Sequence, residues 1–265
     1  MNKQFAMLSG LPRSGSTVLA SMLNQHPDIH TTTTSPVADL FVIIQENWPV
    51  ISQAVVDPDA RQYANIITSM IDGAHAHIDR PVIIDKNRLW PRYSELLHYA
   101  LDEKPKIICT VRKIPDILAS YILLLEKNPG HQFVDSDLIQ MNLPLTLKNR
   151  CRILWEKYTF HPYTSLKIGL KSNHADMLFV DYEDITTNPQ LTIDNICDFL
   201  SIDRFNVATT DLKPMRENDE YHGGLKGLHD VRPELKKTSP TPEKVIGHDL
   251  VKLYTDMKLE FWKNI

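Results

Sequence analysis

The sequence predicts a protein of the α/β class, built as a parallel sheet flanked by helices on both faces. Three observations favour this class. Short runs of consecutive apolar residues recur along the chain, segments with helical periodicity lie between them, and each polar motif directly follows an apolar run. Strands that are apolar throughout are typical of a parallel sheet buried on both faces. Because ligands of such folds bind at the carboxyl ends of the strands, the polar motifs are candidates for one shared site.

Four segments are predicted to be strands because β-branched and other apolar residues follow one another in them. In chain order they are residues 5–8, 81–85, 106–111 and 177–182. Helices are predicted where apolar residues recur three and four positions apart, twice with a proline in the first turn. In chain order they span residues 16–25, 37–48, 61–78, 93–101, 115–127, 145–158, 189–200 and 243–262. Residues 203–240 are predicted to be irregular because glycine, proline and charged residues interrupt any period.

Composition limits the domain organisation and the class of function. The 265 residues and the 42% hydrophobic content suit a single domain, residues 1–265, with a sizeable core. A net charge of −4 argues against a nucleic-acid partner, and no apolar run approaches the ~20 residues of a membrane-spanning helix. The amino terminus is a poor signal peptide and the three cysteines are expected to be reduced core thiols, so we expect a cytoplasmic protein.

The first polar motif, GLPRSGST at residues 10–17, stands between a predicted strand and a predicted helix. Gly10 and Gly15 keep the G-x-x-x-x-G spacing of a P-loop, whose backbone N–H groups surround a phosphate. Ser16 stands where the P-loop lysine is usual, Thr17 keeps the hydroxyl position, and Arg13 moves the positive charge into the loop. The motif predicts a P-loop-type sheet whose ligand has fewer phosphates than ATP and needs no metal. The alternative is a plain turn between strand and helix.

Two later motifs also carry positive charge. Arg112 follows the apolar run at residues 106–111, and Ser120 lies eight residues further on, about two helical turns beyond the strand tip, so both are able to face one anion. The alternative is a local salt bridge for Arg112 and a solvated Ser120. GLKGLHDVRPELKKTS at residues 224–239, the late basic segment, is punctuated by glycine and contains His229. Its alternative is a charged surface loop.

Taken in order, these motifs resemble those of sulfotransferases that use 3′-phosphoadenosine 5′-phosphosulfate (PAPS). PRSGST before a helix, followed by NQHP, is similar to their 5′-phosphosulfate loop. The arginine-bearing version is similar to the tyrosylprotein sulfotransferases and to a group of bacterial sulfotransferases. The resemblance implies that the loop backbone holds the 5′-phosphate and that Arg13 neutralises charge growing on the bridging oxygen and the sulfuryl group. The loop residues implied to bind the cofactor are Pro12, Arg13, Ser14, Gly15, Ser16 and Thr17.

The same resemblance implies roles for the other motifs. An arginine after a strand with a serine on the next helix is similar to the family's 3′-phosphate motif, which implies that Arg112 and Ser120 bind that phosphate. Tyr182 is implied to lie beside the adenosine diphosphate end of the cofactor, the alternative being a half-buried core aromatic. The late basic segment is implied to close over the cofactor, with His229 and Arg232 as the candidates for contact.

One departure from the resemblance leaves the general base open. Tyrosylprotein sulfotransferases place a catalytic glutamate shortly after the first helix, whereas the matching stretch HPDIHTTTTSP has no glutamate. A base must come within hydrogen-bond reach of the acceptor, and Asp85, at the end of a predicted strand, and His229 are candidates of nearly equal standing. Lys86 is implied to stabilise sulfuryl transfer, by similarity to a lysine of the tyrosylprotein enzymes.

The sequence therefore predicts a sulfotransferase that moves a sulfuryl group from PAPS to an acceptor hydroxyl or amine. It would release adenosine 3′,5′-bisphosphate (PAP) and need no metal. The expected acceptor is a small molecule, a carbohydrate or a peptide, and residues 128–145 with the late basic segment are predicted to form its mouth and lid. Two alternatives stay open: a P-loop kinase that uses ATP, and a catalytically inactive PAP-binding protein.

Overall fold

The computed structural model describes residues 3–130, 133–215, 225–236 and 241–265. Within these ranges the strands are β1 (Gln4–Gly10), β2 (Ile29–Thr31), β3 (Val82–Lys86), β4 (Lys106–Val111) and β5 (Asp176–Asp181). They form one sheet in the order β2-β3-β1-β4-β5, and every neighbouring pair is parallel. All the carboxyl ends therefore lie at one edge of the sheet, where the sequence placed its polar motifs.

Helices cover both faces of this sheet. In chain order the described ones are α1 (Ser16–Leu23), α2 (Val37–Asn47), α3 (Ser52–Val56), α4 (Ala60–Ala74), α5 (Ser94–Leu101), α6 (Ile114–Lys127), α7 (Phe133–Gln140), α8 (Leu147–Ile153), α9 (Phe160–Ser172), α10 (Tyr182–Thr187), α11 (Pro189–Leu200), α12 (Pro242–Ile246) and α13 (His248–Asp256). One apolar cluster joins the sheet to α1 and α11, and a second joins its other face to α2, α4, α6 and α9.

Side-chain alternation along the strands divides the core between these two clusters. In β4, Ile107 and Cys109 belong to one cluster and Ile108 belongs to the other, as the period of two in a strand requires. The single-domain α/β fold with helices on both faces is thus confirmed. The three cysteines are buried and free, as expected. In the described part of the chain, no helix is both long and apolar enough to cross a membrane.

Strand β2 and helices α3, α7, α9 and α10 were not predicted. Strand β2 has three residues, lies in the polar stretch HPDIHTTTT and pairs with β3. A single buried isoleucine, Ile29, is too little apolar sequence to form a recognisable pattern. Helix α7 also falls in a stretch without a helical period, and it buries Val134 and Leu138 against the core.

Several predicted helices have the wrong bounds, and the one predicted over residues 61–78, for example, ends at Ala74. The helix predicted over residues 145–158 runs on from α8 through a π-helical turn, Leu154–Thr159, into α9. The prediction ended at residue 158, and Pro162 stands four residues further on. The π-helical turn before Pro162 changes the backbone hydrogen-bond pattern there, and the helical segment continues past the proline. The closing helix predicted over residues 243–262 is interrupted at Gly247, whose φ of 83° separates α12 from α13, and the chain then ends in a 3₁₀ turn.

Candidate active site

A cavity of about 840 Å³ opens at the carboxyl edge of the sheet and gathers side chains from all the polar motifs of the sequence. Its lining includes residues from the β1–α1 loop, the ends of β3 and β4, helices α6 and α10, and the late basic segment. The sequence-predicted residues that line it are Arg13, Gly15, Ser16, Thr17, Lys86, Arg112, Ser120, Tyr182, His229 and Arg232.

The β1–α1 loop needs glycine at both positions that define its spacing. Gly10 has a φ of 137°, and a Cβ there would lie 2.2 Å from the carbonyl oxygen of Thr110 on β4. Gly15 has a φ of 90° and caps α1, and a Cβ there would lie 3.0 Å from the ring of Tyr182. No side chain caps the N-terminus of α1, so the backbone N–H groups of its first turn are available to an anion in the cavity.

Two residues of the loop, Pro12 and Ser14, are buried and do not line the cavity. The hydroxyl of Ser14 donates to the carbonyl of Leu11 at 2.5 Å and shares a hydrogen bond of 2.7 Å with Oγ1 of Thr110. The side chain of Ser14 therefore fastens the loop to β4, whereas the phosphate contact predicted for Ser14 is through its backbone N–H and stays a prediction.

Arg13 links two motifs that the sequence treated separately. Its Nε donates to Oγ of Ser120 on α6 at 3.2 Å, and its Nη1 donates to the carbonyl of Leu228 in the late basic segment. Its own backbone has a left-handed φ of 58°. Burial lowers the pKa of the guanidinium, and the positive charges of Arg112 and Arg88 nearby act in the same direction.

Arg112 is held by the loop and by an aromatic ring. Its Nη1 donates to the carbonyl of Arg13 at 3.0 Å, and its guanidinium carbon lies 4.0 Å from the ring centre of Tyr182. The carboxylate of Asp116 lies 3.9 Å from Nη2, and burial lowers the pKa of Arg112. Tyr182 itself is the first residue of α10, one position past the strand in which the sequence pattern had included it.

A lysine from a neighbouring strand approaches the place that the P-loop lysine would occupy. Nζ of Lys86, at the end of β3, donates to Oγ1 of Thr17 at 3.0 Å. Thr17 lies in the first turn of α1, next to Ser16, the residue that stands in the lysine position. The loop therefore has an ammonium group beside it, although none is encoded within it.

Comparison with known proteins shows which family has this arrangement of loop and strands. The model of a family described as the sulfotransferase domain matches residues 4–223. The chain belongs to the sulfotransferase domain family. A solved sulfotransferase domain from the curacin biosynthetic pathway is similar at 16% identity over 98% of this chain and 93% of that one, with a TM-score of 0.51. A sulfotransferase from Alicyclobacillus acidocaldarius is similar at 15% identity over 83% and 87%, with a TM-score of 0.47. A search of the curated proteins found no match.

Asp85, one of the two candidate bases, is not brought to the cavity of this sulfotransferase domain. The residue is 1% exposed, and its Oδ1 accepts a hydrogen bond of 2.8 Å from the indole of Trp90. Its Oδ2 lies 2.9 Å from Nε2 of His75, whose Nδ1 donates to the carbonyl of Ile71 at 2.8 Å. Asp85 and Lys86 are consecutive in a strand and point to opposite faces, so only the lysine reaches the cavity.

The late basic segment is fastened at both described ends. The backbone N–H of Lys226 donates to Oδ1 of Asn128 at 2.8 Å, and Nδ2 of Asn128 donates to the Lys226 carbonyl at 3.0 Å. At the other end, the N–H of Leu235 donates to the carbonyl of Thr209 at 2.9 Å. His229 and Arg232 lie between these anchors and line the cavity, whereas Gly224 and residues 237–239 of the segment lie outside the described residues.

Among the described residues, the lining of the cavity is strongly cationic. Two acidic side chains, Asp230 and Glu234, stand against eight basic ones. The basic ones are Arg13, Lys86, Arg88, Arg112, Lys127, Lys226, Arg232 and Lys236. The whole chain has a net charge of −4, so the positive charge is concentrated at this edge of the sheet. In the same ranges no group of three or more histidine, cysteine or carboxylate side chains is arranged to hold a metal ion.

Sequence reasoning missed several of these residues. Lys127 lies seven positions after Ser120 on α6, and that spacing alone places both on one helix face, so a signal was present. Asn128 gave no signal, because its role rests on a contact with a segment 98 residues away. Of residues 128–145, which were predicted to form the acceptor mouth, Asn128 is the one described residue that lines the cavity.

Proposed function

We propose that this protein is a PAPS-dependent sulfotransferase that transfers a sulfuryl group to an acceptor hydroxyl or amine and releases PAP. The observation that supports this most is the cationic cavity, in which the anion-binding loop, Lys86 and Arg112 open onto one space. A predominantly cationic lining suits a ligand with several negative charges. The three buried, free thiols fit a reducing compartment, so we also propose a cytoplasmic location.

The residues present fit a nucleoside with phosphates at two separate positions. One set of hydrogen-bond donors for a phosphate lies beside Thr17. It consists of the loop, the first turn of α1 and Lys86. Arg112 and Ser120 supply a second set on the β4–α6 side, where the Tyr182 ring offers a flat surface against Arg112. Arg13 lies between the two sets and contacts both Ser120 and the late basic segment.

Bound PAPS would supply the sulfuryl group. In the proposed step the acceptor oxygen or nitrogen bonds to sulfur as the bond from sulfur to the phosphate oxygen breaks. The acceptor proton passes to His229, which lines the cavity and is of a residue type suited to accepting protons near neutral pH. Arg13 and Lys86 stabilise the negative charge that develops on the leaving phosphate.

The kinase alternative requires a carboxylate beside the loop to hold magnesium. Asp85 was the candidate at a strand end, and its carboxylate is occupied by His75 and Trp90 on the other face of β3. The two described acidic residues of the lining, Asp230 and Glu234, both belong to the late basic segment and not to a strand end. These contacts support PAPS over ATP.

The test compares thermal stability with PAP, with ATP and magnesium, and with neither. A ligand at ~100 times its Kd adds about 2.7 kcal/mol of stability, which a melting curve resolves. We expect stabilisation by PAP and not by ATP with magnesium. The reverse result would overturn the proposal in favour of a kinase.

A second arm separates an enzyme from a binding protein. With Arg13→Ala, turnover of PAPS should fall by about 100-fold or more, while PAP affinity changes far less, because an electrostatic contact to developing charge acts mainly in the transition state. Arg92→Ala is the matched control, since Arg92 is exposed and lies outside the cavity lining. A wild-type protein that binds PAP but never consumes PAPS with any acceptor would be a binding protein.

A further inference from the structure

The strand order divides the cavity into two halves. Because β1 lies at the centre, Arg112, Ser120 and Tyr182 belong to the half over β4 and β5. The opposite half, over β3 and β2, is lined by Thr33, Thr34 and the residues that follow β3. The proposed nucleotide contacts lie at the loop and over β4 and β5, so the β2–β3 half is left for the acceptor.

This second half is built on a fixed frame. The N–H of Thr32 donates to the carbonyl of Ile84 at 3.0 Å, and Oγ1 of Thr32 accepts from the N–H of Lys86 at 2.7 Å. The N–H of Ser35 donates to the Lys86 carbonyl at 3.0 Å, and Nδ2 of Asn87 donates to the Ser35 carbonyl at 2.8 Å. These bonds hold the backbone on either side of the two threonines against the end of β3. The subsite is therefore formed before a ligand arrives.

Arg88 is the cation of this half whose guanidinium has no hydrogen-bond or ion-pair partner among the described residues. The guanidinium groups of Arg13 and Arg112 donate to backbone carbonyls, whereas no acceptor in the described ranges takes a hydrogen bond from the Arg88 guanidinium. The nearest carboxylate on the adjoining helix, Asp39, accepts from Nδ2 of Asn87 at 2.9 Å and does not line the cavity. Arg88 is exposed and lies close enough to Arg13 for its positive charge to lower the pKa of Arg13.

We propose that the acceptor carries a carboxylate in addition to the hydroxyl that is sulfated, and that Arg88 binds this carboxylate with help from the hydroxyls of Thr33 and Thr34. A planar guanidinium matches a carboxylate with two parallel hydrogen bonds. The two neutral hydroxyls add donors without adding charge, so one arginine suits a single negative charge. Apart from Lys86, which the proposed function assigns to PAPS, Arg88 is the one cation of this half among the described lining residues. The proposal rests on the proposed function.

The test uses matched acceptors that differ only in charge. 4-Hydroxyphenylacetate and 3-hydroxybutyrate are each compared with the corresponding primary amide, which keeps the hydroxyl and the shape. Binding is measured as the shift in melting temperature of the PAP-saturated protein, and turnover as kcat/KM with PAPS. Variants are Arg88→Gln and the control Arg92→Gln, an exposed arginine four residues further on and outside this cavity.

We expect the carboxylates to be preferred over their amides by at least about tenfold, in binding or in kcat/KM, because hydrogen bonds to charged groups are worth about 1.5–3 kcal/mol. Arg88→Gln should reduce this ratio to near one and Arg92→Gln should keep it. Equal preference in the wild type, or a ratio that survives Arg88→Gln, would overturn the inference, as would a protein that accepts neither carboxylate. An Arg88→Gln variant that PAP no longer stabilises would also overturn it, because Arg88 would then belong to the nucleotide site. Failure of PAP to stabilise the wild type would overturn the proposed function itself.

Discussion

At the scale of single residues, the buried pair of His75 and Asp85 has a charge state that depends on pH. Nδ1 of His75 donates to the Ile71 carbonyl, so it bears a proton, and Nε2 faces the Asp85 carboxylate at 2.9 Å, so it bears one as well. Burial opposes the charge on the imidazole, but the hydrogen bonds to Asp85 and to Ile71 outweigh it, and the pKa of His75 is raised above its ordinary value. Below this raised pKa the two residues form an ion pair at the end of β3, next to Lys86.

This raised pKa predicts a pH dependence of stability with a definite sign. The unfolded pKa of histidine is about 6.5, so the stabilisation is fully present below that pH and is lost as the pH rises through the higher folded pKa. We expect the free energy of unfolding from urea titrations to decline over that window in the wild type. Asp85→Asn should flatten the decline, and the control His77→Gln, at an exposed histidine, should keep it. A wild-type curve that rises across this range would contradict the assignment.

The same residues explain where sequence reasoning succeeded and where it failed. The ends of the strands could be located, so Asp85 and Lys86 were both placed at the correct edge. Which of two consecutive strand residues faces a cavity depends on what covers each face of the sheet. The pattern VIIDK is apolar on both faces and does not distinguish them.

At the scale of elements, the β1–α1 loop depends on close contact between two strands. Gly10 and Thr110 are register partners in β1 and β4, and the missing side chain lets the Thr110 carbonyl come within 2.2 Å of where a Cβ would be. The N–H of Leu11 then donates to that same carbonyl at 2.9 Å. The loop leaves the sheet at a position that no other residue type permits.

We therefore expect Gly10→Ala to destabilise the protein by at least ~2 kcal/mol, since overpacking and a left-handed backbone both add to the cost. Gly130→Ala is a matched control, because Gly130 has a similar φ of 128° but nothing within 4 Å of its Cβ position. The difference in urea midpoint between the two variants isolates the steric contact with Thr110. Equal losses of stability would mean that backbone strain alone accounts for the glycine.

Elements with a strong local period could be predicted, and those formed by distant contacts could not. Helix α11 and strand β4 have the predicted bounds because their apolar spacing is regular. Strand β2 exists because three residues pair with β3, and the π-helical turn before α9 lets one long helical segment continue past the predicted stop. Neither contact leaves a local pattern in the sequence.

At the scale of the whole molecule, the charges are divided between one edge and the remainder. The chain has a net charge of −4, yet the described part of the cavity lining has eight basic and two acidic side chains. The acidic excess therefore lies elsewhere on the protein. Such an arrangement attracts anions to one opening and repels them from the other surfaces, which concentrates a multiply charged ligand at the site.

The fold class and the order of the motifs could be predicted together from the sequence, because each motif follows a strand of a parallel sheet.

This division of charge predicts how ligand binding responds to salt. Raising the ionic strength from ~0.1 M to ~1 M shortens the Debye length from about 10 Å to about 3 Å, which screens the cations that PAP does not contact directly. We expect the Kd for PAP, measured by calorimetry, to rise by about tenfold or more over this range. Adenosine has the same base and ribose without the phosphates, so its Kd should change little. A parallel change for the two ligands would mean that stacking and shape, and not the cationic lining, hold the nucleotide. PAP binding that resists salt altogether would confine its contacts to the few buried donors of the loop and Arg112.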